Sequence, residues 1–300
     1  MASVECDVFI VGCGYLGRRV ARAEQARGRR CAALTHSEQS AAELSALGIT
    51  PVRGDLDQAD SVRDLDLSGT LAYYFVPPQS NGSVDLRVAA FCDVLDRKRS
   101  PTRLVAVSTT GVYGDCGGEW VDETRLPEPR AERSRRRLDM EMTLRGWGMA
   151  TATRVVTLRV PGIYGPHRLP RERIARGVPV LAESESPWSN RIHVDDLVTA
   201  CLAALDRGHP GRVINAADGK PSTMTDYFNH VADAVSLPRP PQISHAEATA
   251  QLSAGMLSYL AESKRIDITR MRNELGVTPR YDLVDGLAAS IAQEQSEAAA

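Results

Sequence analysis

A chain of 300 residues, 43% hydrophobic and 25% charged, has the length for one large α/β core with a smaller lobe and the composition of an ordinary globular protein. Its 36 Lys and Arg against 38 Asp and Glu leave a net charge of -2, so no overall field favours nucleic acid or an anionic membrane. No apolar run approaches the roughly 18 residues of a membrane span, and the start lacks the charged-then-apolar layout of a signal peptide, so a cytoplasmic location is expected.

Strand-like runs are expected at Cys6–Val11, Arg30–Leu34, Thr50–Arg53, Leu71–Val76, Arg103–Ser108 and Thr153–Val160. Helical patterns lie between most of them, at Tyr15–Arg27, Val84–Arg97 and Ser134–Arg145. Continuous apolar strands separated by helices indicate a parallel sheet covered on both faces, with right-handed crossovers. After Val160 proline and glycine recur, then a helix near Val194–Asp206 precedes a short strand at Arg212–Asn215. From Ser222 the pattern is helical, broken at Pro238–Pro241. The six cysteines show no CxxC spacing and no accompanying histidine cluster, so no metal site is expected.

The first strand runs straight into Gly12-Cys13-Gly14-Tyr15-Leu16-Gly17 and then into a helix. Gly12 permits the tight turn, Gly14 lets the backbone approach a pyrophosphate, and Gly17 lets the helix pack close to the strand. The amides that open the helix, through Tyr15 and Leu16, face the phosphates with the positive end of the helix dipole behind them. Standing after a strand and at the head of a βαβ series, the loop indicates a nicotinamide dinucleotide. The fold class that follows is α/β, a Rossmann doubly wound parallel sheet with a smaller C-terminal lobe. Residues 1–165, completed by 192–217, are expected to form the dinucleotide domain, and 166–191 with 218–300 the substrate lobe. At the end of the second strand, where an acidic residue would bind the ribose 2′-hydroxyl of NAD, stand Thr35, His36 and Ser37. Hydroxyls and an imidazole tolerate a 2′-phosphate better than a carboxylate does, which favours NADP over NAD.

Further signatures follow in one order: Gly54-Asp55-Leu56, Ser108-Thr109-Thr110-Gly111-Val112-Tyr113-Gly114, Arg159-Val160-Pro161-Gly162-Ile163-Tyr164-Gly165-Pro166, Ile192-His193-Val194-Asp195-Asp196 and Ser263-Lys264-Arg265. Together they resemble the extended short-chain dehydrogenase/reductases, the NAD-dependent epimerase/dehydratase family, in its atypical branch. The resemblance implies that Asp55 and Leu56 flank adenine and that Val76 and Pro77, with Ser108, lie along the cofactor. It implies that Thr109 bonds a substrate oxygen and that Tyr113 and Tyr164 stand near the cleft. Asp195 and Asp196 also suit simple capping of the helix that follows. Nucleotide-sugar members carry a diphosphate arginine four places before the histidine; here Ser189 stands there and Arg191 two places before His193. That displacement speaks against a nucleotide sugar; Cys116, Arg191 and His193 are candidates for contact with a small-molecule substrate. A homodimer packed on helices flanking the sheet is implied by analogy of fold only.

The departure from the family is catalytic. Its Tyr-x-x-x-Lys pair falls on Arg133 and Arg137, which still share one helix face. Arginine does not donate a proton, but it stabilises an oxyanion or grips a carboxylate or phosphate. The proton would then pass through Tyr113, Tyr164, His193, Cys116 or, by way of water, Thr109. Three functions stay open on the sequence. One is an NAD(P)-dependent oxidoreductase or epimerase/dehydratase acting on a small polar substrate. Another is a catalytically silent NADP(H)-binding sensor or partner-binding protein. The third is a non-redox lyase or cyclase using the same cleft.

Overall fold

In a computed structural model, which describes residues 5–299, seven parallel strands form one sheet. They include β1 (Val8–Val11), β2 (Cys31–Thr35), β3 (Thr50–Arg53), β4 (Leu71–Tyr74) and β5 (Arg103–Thr109). The strands Arg154–Val160 and Arg212–Asn215 extend the sheet beyond β5, and β1 lies between β4 and β2. Strand order thus reverses between β1 and β4, and in such sheets ligands settle in the crevice outside the strand ends at the reversal. The doubly wound α/β fold expected from the alternation is the one observed.

Both faces are covered. α1 (Tyr15–Ala26) and the helix Val194–Arg207 bury Val20, Ala21, Leu197 and Ala200 against Val8, Ile10, Val105 and Leu158. On the other face α3 (Leu86–Val94) and α4 (Glu132–Thr151) bring Phe91, Met140 and Leu144 onto Phe9, Val11, Tyr74 and Leu104. α3 starts later than the expected Val84, because Asp85 caps it by accepting from the amides of Arg87 and Val88. A helix that the pattern had left unassigned, α2 (Glu38–Ala46), buries only Leu44 and is started by Ser37, whose Oγ accepts from the Ser40 amide. The smaller clusters lie outside the sheet, around Phe228, Val231 and Leu287 and around Leu181, Ala248 and Leu260.

A polar network joins α4 to the sheet. The buried Arg159 guanidinium meets Glu141 of α4 with Nη2–Oε2 at 2.8 Å, and the Ser108 hydroxyl donates to Glu141 Oε1 at 2.5 Å. Two charges out of water are tolerated only when paired and hydrogen-bonded. Among the described residues, no helix is long and apolar enough to cross a membrane.

Breaking the pair from one side should be far worse than removing it. Arg159→Met, which leaves Glu141 buried without its counter-charge, should cost about 3–5 kcal/mol in urea unfolding. Adding Glu141→Gln should return a large part of that loss. Equal destabilisation in the single and double variants would show that the charges act independently.

Candidate active site

The phosphate loop is built by exclusion of side chains. Gly12 has φ +94°, and a Cβ there would lie 2.7 Å from the Val76 amide nitrogen, so only glycine lets the loop lie against the Phe75–Val76 backbone. A Cβ on Gly17 would lie 2.9 Å from the Gly12 carbonyl oxygen, whereas one on Gly14 would meet nothing within 4 Å. α1 begins after Gly14 with no side-chain cap and no acidic residue in its first turn. The donors that open it are thus left to an anion. Leu16 is buried, and the Tyr15 ring lies between the guanidinium groups of Arg19 at 4.0 Å and Arg168 at 4.7 Å while its hydroxyl donates to the Pro166 carbonyl. The Phe75 amide donates to Val11, which carries Val76 and Pro77 past the loop. A pyrophosphate fits this cradle.

The ends of β2 and β3 supply the neighbouring ground. Thr35 is buried with its hydroxyl unpartnered, and its carbonyl accepts from Gly54. Ser37 is occupied as the α2 cap, and His36 lies close enough to Asp57 to lower that carboxyl's pKa, after the larger effect of Arg87. Asp55 accepts from the Asp57 amide, and Leu56 is buried. Arg18 pairs with Glu43 through Nη2 and leaves a buried Nε without a partner, while Glu38 pairs with Arg53 at 3.4 Å.

Next to Pro77 and Pro78 opens a cleft of about 640 Å³. Thr109 lines it, its Oγ accepting from the Gly111 amide at 3.1 Å so that the hydroxyl proton stays free. Two arginines of α4 reach the same space. Arg137 donates to the Val76 carbonyl at 2.8 Å, and burial lowers its pKa. Arg133 donates to the Ser258 hydroxyl at 2.8 Å and stacks on Tyr259 with Cζ 3.8 Å from the ring centroid. Arg191 lines the cleft too, bonded to the hydroxyls of Ser189 and Ser222 and stacked at 4.1 Å on Tyr227. Burial lowers its pKa as well and raises that of Tyr227 to about 12. Lys264 closes the wall, held by Glu262 at 2.7 Å and by the Gly114 carbonyl.

The cleft therefore gathers Thr109, Arg133, Arg137, Tyr164 and Arg191 of the expected set, and it does not include Ser108, Tyr113, Cys116 or His193. Ser108 points under the sheet to Glu141. Tyr113 donates to Asn215 Oδ1 at 2.8 Å, and burial raises its pKa to about 12. Tyr164 shows its ring to the cleft while its hydroxyl donates to the Asp282 carbonyl, in space left by Gly286. Cys116 is buried, and that burial raises its thiol pKa. His193 is 1% exposed and caps the helix Val194–Arg207, Nδ1 accepting from the Asp195 amide and Nε2 meeting Ser290. Asp196 accepts from the amides of Arg280 and Tyr281, a tether between segments. Tyr227, Tyr259 and Glu262 are cleft residues that sequence reasoning missed. Lys264 was visible only as the middle of Ser263-Lys264-Arg265, with no role attached.

Residues 8–217 match the family model described as the NAD dependent epimerase/dehydratase family. Over 206 residues the chain is 27% identical to a dTDP-glucose 4,6-dehydratase of Streptomyces griseus, an alignment covering 63% of this chain and 57% of that one. The chain spans between 34% and 59% of the length of the curated relatives it matches. A solved structure of a conserved protein of unknown function from Silicibacter pomeroyi superposes with TM-score 0.83 at 29% identity, covering 95% of this chain and 98% of the other. A Thermotoga maritima UDP-glucose 4-epimerase solved with UDP-glucose gives TM-score 0.79 at 17% identity over 98% and 99% of the two chains, a likeness of fold.

Behind Arg191 lies Asp218, 6% exposed, whose pKa burial pushes up to about 6. The folded chain holds this proton more tightly than the unfolded one, so the carboxyl weakens the fold as pH rises from 3.8 to about 6. Asp218→Asn keeps an acceptor for the Lys220 amide and should be more stable than the parent by about 1–3 kcal/mol at pH 7. The difference should vanish near pH 4. Urea unfolding of both proteins at the two pH values measures it, and a gap independent of pH would show that Asp218 is not the titrating group.

Proposed function

The chain belongs to the NAD-dependent epimerase/dehydratase family, and from that membership we propose that it is an NADP(H)-using oxidoreductase or epimerase/dehydratase acting on a small polar substrate. The observation that carries this reading is the continuity of the glycine cradle with the cleft: the Phe75–Val76 backbone that Gly12 packs against runs straight on into Pro77 of the cleft wall, and Arg137 holds the Val76 carbonyl at the join. In this reading residues 166–191 and 218–300 shape the substrate side.

The bound nicotinamide supplies hydride donation or acceptance. The protein's own residues would orient and protonate. Thr109 Oγ, its lone pair engaged by the Gly111 amide, donates to the substrate oxygen. Arg133 and Arg137 place positive charge where negative charge develops, in a partly dry cleft where such charge counts for more than in water. Neither gives up a proton. Tyr113 and Tyr164 have their hydroxyls engaged elsewhere, which supports Tyr259, 53% exposed and held over Arg133, as the group whose phenol proton passes to that oxygen and is replaced from solvent. For the cofactor, the free Thr35 hydroxyl, His36 and the unpartnered Arg18 Nε suit a 2′-phosphate.

Fluorescence titration should show NADPH binding more tightly than NADH, and Arg18→Gln should reduce that preference roughly tenfold or more, the effect of one charge-assisted hydrogen bond. Equal affinity for the two cofactors in the parent protein would refute the NADP assignment. Absorbance of NADPH under a panel of aldehydes, ketones and imines tests turnover. Tyr259→Phe should then lower kcat by about a hundredfold while leaving NADPH affinity unchanged. A variant that turns over as fast as the parent removes Tyr259 from the reaction.

A further inference from the structure

The cleft's charges bear on what it admits. Glu262 is the one carboxylate lining it among the described residues, and it is paired with Lys264 at 2.7 Å. Arg133, Arg137 and Arg191 remain, and the partners described for them are neutral: backbone carbonyls, serine hydroxyls and tyrosine rings. Asp85 and Asp218 favour the charged forms of Arg137 and Arg191 from outside the cleft lining, yet desolvation dominates and lowers both pKa values. Cations held half-buried, as Arg133 and Arg137 are, or buried, as Arg191 is, with no carboxylate described in direct contact are expensive, and the remedy that fixes them in place is an anion presented from the open side.

Their position narrows the choice. Arg137 donates to the Val76 carbonyl beside Pro77, and Ser134, next to Arg133 on α4, lies against Gly111, which in the oxidoreductase reading sets both arginines at the reacting end of the cleft. Ile163, Met224, Tyr227 and Trp188 offer apolar surface for a carbon skeleton on the far side. We infer that the substrate is a small acid, a molecule whose own carboxylate or phosphate is gripped by Arg137 and Arg133 close to the reacting carbon. This rests on the oxidoreductase reading for the place of that carbon, while the anion site itself stands on the arginines alone. A neutral sugar, or a nucleotide sugar with its charge on a distant diphosphate, would leave the same guanidinium groups unmet.

Calorimetry of the NADPH-loaded protein with glucuronate, glucose 6-phosphate, glucose and UDP-glucose tests this. Either or both acids should bind at least roughly tenfold more tightly than glucose, the worth of one charge-assisted contact. The two acid arms tell carboxylate from phosphate, and binding should weaken with added NaCl. Arg133→Gln and Arg137→Gln should each cost roughly tenfold to a hundredfold in that affinity. The hydrogen bond described for Arg133 goes to Ser258 and not to the Val76 carbonyl, so its variant reports even where Arg137→Gln disturbs the cofactor. Acids no tighter than glucose, or affinities unchanged in both variants, overturn the inference. UDP-glucose bound more tightly than either acid overturns it as well. Should NADPH itself fail to bind, the oxidoreductase reading falls, and the same titrations on the cofactor-free protein still decide the anion site.

Discussion

The Glu141–Arg159 pair fixes where α4, the helix that carries two cleft arginines, lies. α4 carries Arg133 and Arg137 in its first two turns and Glu141 one turn further on, so anchoring Glu141 to the strand Arg154–Val160 sets the azimuth of the whole face. Ser108 shares the carboxylate from β5, the strand that ends at Thr109. Helix and turn are therefore referenced to one buried charge. Arg159 also lies 4.7 Å from the Tyr113 ring, and Tyr113 reaches on to Asn215 of the last sheet strand. The signature residues Ser108 and Tyr113 thus hold the frame in which Thr109 and the arginines face the cleft.

The later segments are attached to this frame by the pairing of Arg265–Ile266 with Trp120–Val121 and by several buried polar tethers. Asp196 holds the backbone of Arg280 and Tyr281, Tyr164 holds Asp282, and Lys264 holds the Gly114 carbonyl. Each joins the sheet or its loops to the late segments through a buried polar atom whose partner is a backbone group. Such bonds cost free energy when broken in a dry setting, which makes them positional rather than strongly stabilising. Arg191 itself is set by the pairing of its strand with Gly162–Tyr164.

How far the sequence foretold this depends on whether a residue answers to its neighbours along the chain or across the fold. Gly12 and Gly17 were legible because a tight turn followed by close helix packing leaves no room for a Cβ, a demand local enough to read. The sheet was legible from unbroken apolar runs such as Leu104–Ala106, buried on both faces. α2 was missed because it buries a single leucine and so shows no apolar stripe. His193 and Tyr113 carried family signatures whose meaning is packing, which becomes visible only when Ser290 and Asn215, far along the chain, arrive beside them. Tyr259 had no local signal at all: Leu257-Ser258-Tyr259-Leu260 reads as helix, and only the tertiary fold lays its ring on Arg133.

On the proposed reading, in which Arg133 and Arg137 stand at the places of the family's tyrosine and lysine, a task that the family pattern keeps together is divided. Arg137 retains a positional part, because its guanidinium still ties α4 to the Val76 carbonyl beside the phosphate loop. Arg133 retains charge at the reacting end but has no proton to give. A hydroxyl must then come from elsewhere, and Tyr259 sits on a short helix of the later segments whose neighbours are Ser258, the α4 arginine and the cluster around Leu181 and Ala248. Protonation would therefore depend on how closely the two sides of the cleft approach, whereas a tyrosine on α4 would be set by the helix alone. A substrate that draws Arg133 toward its own acid group also moves the ring stacked on it, so recognition of charge and delivery of the proton would be coupled through a single cation–π contact.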